Sequence, residues 1–130
     1  MGDATTTLTD AVALGATNAG AAVALGAIGA HALKDRLSPK MMSVYHTGSQ
    51  YHLYHALGLM LVGLVALQLP ESNLMELSGW LMLGGTVLFS GSLYLLAITG
   101  KGWLGTATPV GGLSLISAWI VLAVVILQVS

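Results

Sequence analysis

An all-α, integral membrane four-helix bundle is the fold this sequence predicts, and three observations predict it. Of the 130 residues, 55% are hydrophobic and only 7% charged, with a mean hydropathy of +0.85. Apolar stretches follow one another in four blocks, each bounded by proline, glycine or a short polar loop. The four basic and five acidic side chains gather at the loops and ends. A soluble domain carries roughly a quarter charged residues because its surface faces water, so lipid must cover most of this chain. Its length reads as one transmembrane domain over residues 1–130. A net charge of −1 offers no basic field for nucleic acid. The absence of cysteine excludes disulfides, thiolate chemistry and Cys-ligated metals.

The first helix is expected over residues 8–33. It is rich in small residues, with one ladder at Asn18, Ala22, Gly26 and Ala30 and another at Ala11, Gly15 and Ala19. Small residues let membrane helices approach closely, so two ladders predict a central helix with neighbours on more than one side. A cleaved signal peptide is the rival, since Ala30-His31-Ala32 resembles an Ala-x-Ala site. It lacks the basic leader such peptides carry, having Asp3 and Asp10 instead.

Ser38-Pro39 supplies an N-cap and a first-turn proline, and Pro70 closes the second helix, expected over residues 39–69. One helix of that length spans roughly 46 Å, against about 30 Å of hydrocarbon. The surplus predicts an interfacial overhang from Pro39 to Ser49, with a bend permitted at Gly48. Asn73 and Glu76 have capping-box spacing and open the third helix, residues 74–99, which Gly100-Lys101-Gly102 breaks. Thr108-Pro109 caps the fourth, residues 109–129. Trp80 and Trp103 lie near helix ends, where aromatic belts form.

Loop charges orient the bundle. Asp3 and Asp10, then Glu71 and Glu76, mark one side; Lys34, Arg36, Lys40 and Lys101 mark the other, with Asp35 the exception. By the positive-inside rule the basic loops face the cytoplasm and both termini lie outside.

Chemistry concentrates at His46 to His55. At about 100° per residue, His46, Gln50 and Tyr54 form one stripe, and Tyr51, His55 and His52 a second. Intramembrane ionisable groups are functional suspects. A polar pocket of His31, Gln50, Tyr51 and His55 is therefore the ligand-binding candidate, histidine being able to carry protons near neutral pH. The bland alternative is that these groups hydrogen-bond one another and set helix register. A zinc site is the sharper alternative, since His52 and His55 at i, i+3 spacing could share a helix face with His31 as a third ligand, but no carboxylate is nearby in sequence. A haem between His31 and His55 is also conceivable. No metal and no cofactor are expected. Ser90, Ser92 and Tyr94 are secondary candidates; the serines lack a positioned base and read as packing hydroxyls. Gly111-Gly112 reads as a close helix crossing rather than an anion site.

Gly26-Ala27-Ile28-Gly29-Ala30-His31, Gln50-Tyr51-His52-Leu53-Tyr54-His55-Ala56-Leu57, Phe89-Ser90-Gly91-Ser92-Leu93-Tyr94-Leu95 and Thr108-Pro109-Val110-Gly111-Gly112 resemble one small membrane family. It is domain of unknown function 423, with bacterial inner-membrane members and a mitochondrial relative. The resemblance covers nearly the whole chain. It implies a four-helix membrane fold in the bacterial inner (cytoplasmic) membrane and no established activity. Its pattern falls on His31, Gln50, Tyr51 and His55, and on Ser90, Gly91, Ser92 and Tyr94; His46 and His52 fall outside it, which weakens the His52/His55 metal site.

The leading expectation is an accessory or structural membrane protein that packs with itself or a larger complex, its partners being the bilayer and other membrane helices. The second is small-ligand or proton handling around His31 and His55. A membrane enzyme comes third, because a base stands without a convincing nucleophile or metal.

Overall fold

The structure, a computed structural model, describes residues 4–70 and 72–130, with side chains described from residue 10 onward. Asp3 and Glu71, which enter the charge argument above, lie outside the described residues. Among those described are α1 (Ala4–His31), α2 (Pro39–Ala66), α3 (Asn73–Thr99), a short 3₁₀ turn (Gly102–Thr106) and α4 (Ala107–Val129).

Local chemistry explains most of the boundaries. Ser38 caps α2, its hydroxyl accepting from the Met41 N–H at 3.2 Å, and Pro39 takes the first helical position. α2 stops at Ala66, short of residue 69. The N–H groups of Gln68 and Leu69 turn to carbonyls three residues back, a tightening that satisfies orphan helix-end acceptors before Pro70. At α3 the cap is Ser72, one residue earlier than the Asn73/Glu76 box. Ser72 has extended backbone (φ −152°) and accepts from the Met75 N–H at 3.4 Å, the geometry an N-cap requires. Gly100 ends α3 at φ +71°, a left-handed conformation that costs glycine little. α4 begins at Ala107, not Pro109, because the 3₁₀ turn already feeds it. Thr108 is thereby released from capping, and its hydroxyl lies 2.6 Å from that of Ser92 on α3.

The helices pack in chain order, α1 on α2, α2 on α3 and α3 on α4. α1 is therefore an edge helix, not the central one expected. Its buried line is Gly15, Ala22 and Gly29. A Cβ at Gly15 would lie 2.5 Å from Met60 Cγ and 2.8 Å from the Ala56 carbonyl, so the backbones approach as small residues allow. The outward face, with Ala13, Ala16, Gly20, Ala24 and Ala27, is equally small and exposed. Residue size alone does not tell which face has a neighbour.

α2 buries Tyr45, Gly48, His52, His55, Leu59, Val62 and Ala66, alternating steps of three and four that keep one face toward its partners. Its first turns pack on the neighbouring helices: Tyr45 is 2% exposed, under Gly29 of α1, and its ring lies 5.1 Å from that of Tyr94. Gly48 is a contact point, not a bend; a Cβ there would stand 3.1 Å from Leu93 Cβ.

An apolar core of Leu59, Val62, Met75, Met82, Leu115 and Leu122 fills the half of the bundle toward the start of α3. The other half holds the buried His52, Ser90 and Ser92, while Ser78 is buried within the apolar half and donates to the Ala118 carbonyl at 2.8 Å. By length and composition three segments are apolar enough to cross a membrane, Asp10–His31, Asn73–Thr99 and Gly102–Val129. α2 is not among them, because Gln50, His52 and His55 dilute its first half; α1 and α3 flank that polar face. Apolar side chains such as Val23, Leu113 and Leu127, 62%, 67% and 72% exposed, point outward. From Trp80 to Thr99 α3 rises roughly 29 Å, close to a hydrocarbon thickness, and exposed Trp80 and Trp103 stand toward its two ends. Chain reversal between helices collects Lys34, Arg36, Lys40 and Lys101 at one end, and Asp10 and Glu76 at the other.

Candidate functional site

His52 sits at mid-height on the buried face of α2 and joins three helices. Its Nδ1 lies 2.9 Å from the Tyr94 hydroxyl on α3, and its Nε2 3.2 Å from Asn18 Oδ1 on α1. Asn18 Nδ2 donates to the Leu14 carbonyl at 2.9 Å, which turns Oδ1 toward His52 as an acceptor. Nε2 must then carry the hydrogen, and Nδ1 accepts from Tyr94.

His55, one turn on, faces α4 instead. Nδ1–H donates to the Tyr51 carbonyl at 2.8 Å, and Nε2 accepts from the Trp119 indole N–H at 3.0 Å. The Tyr51 ring stacks on His55 (5.9 Å between centroids, 11° between planes) and tilts against Phe89 at 4.9 Å. A carbonyl can only accept and an indole N–H only donate, so this ring holds its hydrogen on the opposite nitrogen from His52.

Of the residues in the expected pocket, the structure brings Tyr51 and His55 together and leaves His31 and Gln50 apart. His31 is exposed at the end of α1. Gly29 lies against Tyr45 and Gly15 against Ala56, so His31 is level with the start of α2 and roughly 15 Å or more from His55 along the bundle. Gln50 is exposed. His52 and His55 diverge toward different helices, which removes the shared face that a metal pair needs. Among the described residues no three of His, Cys, Asp or Glu cluster in a way that could hold a metal ion.

The secondary candidates are drawn into packing roles. Ser92 donates to the Phe89 carbonyl at 2.9 Å and meets Thr108, while Tyr94 serves His52. Ser90, 2% exposed, is the one buried side-chain oxygen without a partner among the described residues. Gly111 presses on the Phe89 backbone, its imagined Cβ 2.8 Å from Phe89 Cα, so it marks a helix crossing.

Two participants carried little sequence signal. His52 shares the buried spacing of Tyr45, Gly48 and Leu59, a periodicity that could have singled it out over His31. Trp119 gave no warning, since the register of α4 against α2 is invisible in the sequence.

Four helices with apolar outer surfaces and a cross-helix polar layer define a small polytopic membrane protein. The chain belongs to the family described as Protein of unknown function (DUF423), which its residues 25–112 match. It is 50% identical over 113 residues to the UPF0382 membrane protein YwdK of Bacillus subtilis (strain 168), covering 87% of this chain and 92% of that relative. A UPF0382 membrane protein of Staphylococcus epidermidis (strain ATCC 12228) is 45% identical over 117 residues, 90% of this chain and 94% of the relative. A third, SAUSA300_0565 of Staphylococcus aureus (strain USA300), is 40% identical over 113 residues, 87% and 91% of the two chains. No solved structure matches the chain.

Proposed function

We propose that this chain is an accessory, structural protein of the bacterial inner (cytoplasmic) membrane, acting by helix packing in a homo-oligomer or a larger membrane complex. The observation that carries this reading is the outer face of α1. α1 packs on the bundle along one side, and Ala13, Ala16, Gly20, Ala24 and Ala27 on the other are exposed. A Cβ at Gly20 meets nothing within 4 Å. Such a face lets another helix approach closely, which is how helices associate in lipid. The ring nitrogens of His52 and His55 are spent on intramolecular bonds, which suits a scaffold. The basic end faces the cytoplasm in this reading, supported by Lys34, Arg36, Lys40 and Lys101 at that end. Native mass spectrometry from lipid nanodiscs tests it. An oligomer or a stoichiometric membrane partner is expected, and Gly20→Leu dissociates it while the helical content stays. A strictly monomeric wild type without a partner rejects the proposal.

The second reading narrows the small-ligand or proton-handling site to Tyr51 and His55, since His31 and Gln50 lie apart from them. What favours it is the Tyr51–His55 stack, an exposed phenol over a buried imidazole. A retained small-molecule mass that vanishes in His55→Ala supports it; an identical spectrum for both proteins counts against it.

A further inference from the structure

A cleft of about 300 Å³, open on one side, lies between α1 and α3 above α2. Its walls are apolar: Leu14, Leu59, Val62, Met75 and Leu83. Its volume falls at the lower end of the range that holds small organic ligands. Two carboxylates from different helices, Asp10 and Glu76, line the outer end and are exposed there, beside the Trp80 indole, which is 64% exposed. The four Lys and Arg side chains all lie at the opposite end of the bundle, so among the described residues no basic group neutralises this pair.

We propose that this cleft binds a lipophilic organic cation, a positively charged centre on an apolar body that carries no phosphate. Charge complementarity selects the occupant. The carboxylates attract a cation, and the indole face adds cation–π attraction. Apolar walls take up the body, whose removal from water is favourable. A phospholipid headgroup would set its phosphate against two carboxylates without a basic partner, and an acyl chain alone makes no use of them. The position fits as well: Asp10 lies less than two turns into α1, which begins at Ala4, and Glu76 lies in the first turn of α3. The charged end of the cleft thus meets the water interface, and the walls run into the hydrocarbon. This proposal does not rest on the outer face of α1.

Gly79 makes the site testable without disturbing the carboxylates. A Cβ there lies 3.7 Å from Val62 Cγ1, an ordinary contact, so Gly79→Ala folds and Gly79→Leu fills the cleft. The experiment is equilibrium binding of tetraphenylphosphonium to the full chain in phosphatidylcholine nanodiscs. Protein-free discs serve as the partition control, and tetraphenylborate is the probe of like shape and opposite charge. Saturable binding of the cation above the control is expected, with no saturable binding of the anion. Asp10→Asn with Glu76→Gln weakens the cation by about tenfold or more, the scale of two partly screened charge contacts, and Gly79→Leu abolishes it. Circular dichroism and elution volume identify variants that have lost the fold, and Gly79→Ala then serves as the folded steric variant. Binding of cation and anion alike, binding no greater than to empty discs, or full affinity in the charge-neutral variant each overturns the proposal.

Discussion

The imidazole of His52 receives the Tyr94 hydroxyl at 2.9 Å, across the contact between α2 and α3. Removing that hydroxyl with Tyr94→Phe leaves Nδ1 of a buried ring without its donor. A loss of roughly 0.6–2 kcal/mol in unfolding free energy is expected, the range for interhelical hydrogen bonds in membranes. A double-mutant cycle with His52→Leu checks the pairing: strict additivity of the two losses would mean that the contact carries no coupling.

Opposite tautomers follow from the partners of the two buried histidines. Nitrogen NMR of the ring-labelled protein at neutral pH is expected to report Nε2–H for His52 and Nδ1–H for His55. Trp119→Phe removes the donor at His55 Nε2 and shifts that nitrogen while leaving the His52 signals in place. Matching tautomers in the two rings contradict the hydrogen-bond network.

Glycines of the same helix separate by neighbour. At Gly15 the added methyl would stand 2.8 Å from a backbone oxygen of α2, so Gly15→Ala pushes α1 away and costs about 1–3 kcal/mol, as overpacking does. Gly20→Ala meets open space and is neutral or stabilising by up to about 1 kcal/mol through helix propensity. The detergent-denaturation midpoint should fall for Gly15→Ala and hold or rise for Gly20→Ala.

Ser90 offers the reverse case. Its buried hydroxyl has no partner, so Ser90→Ala sacrifices no bond and relieves an unsatisfied group. Stability unchanged, or raised by up to about 1 kcal/mol, is the expected result. A marked loss in the same unfolding assay would expose a partner that the structure does not contain.

Orientation is open to a direct test because the chain has no cysteine. Single-residue variants Arg36→Cys and Lys101→Cys are expected to react with a membrane-impermeant maleimide only after cells are permeabilised, and Asn73→Cys and Ser130→Cys before. The converse pattern inverts the topology.

Sequence alone determined the class of this protein. Hydrophobic content leaves lipid as the only solvent for most of its surface, and Pro39, Pro70 and Gly100 act within a turn of where they stand. Those are local or averaged properties, so they survive without knowledge of any neighbour. Tertiary structure alone decided which helix is central, because α1 carries small residues on faces that differ only in what lies opposite. It also decided the roles of the histidines. The sequence pattern favours His31 and His55 as a pair, but antiparallel packing of α1 and α2 places them roughly 15 Å or more apart and puts His52 between Asn18 and Tyr94. A hydrogen bond between helices depends on register and rotation, quantities summed over every side chain in the contact, and spacing within one helix does not contain them.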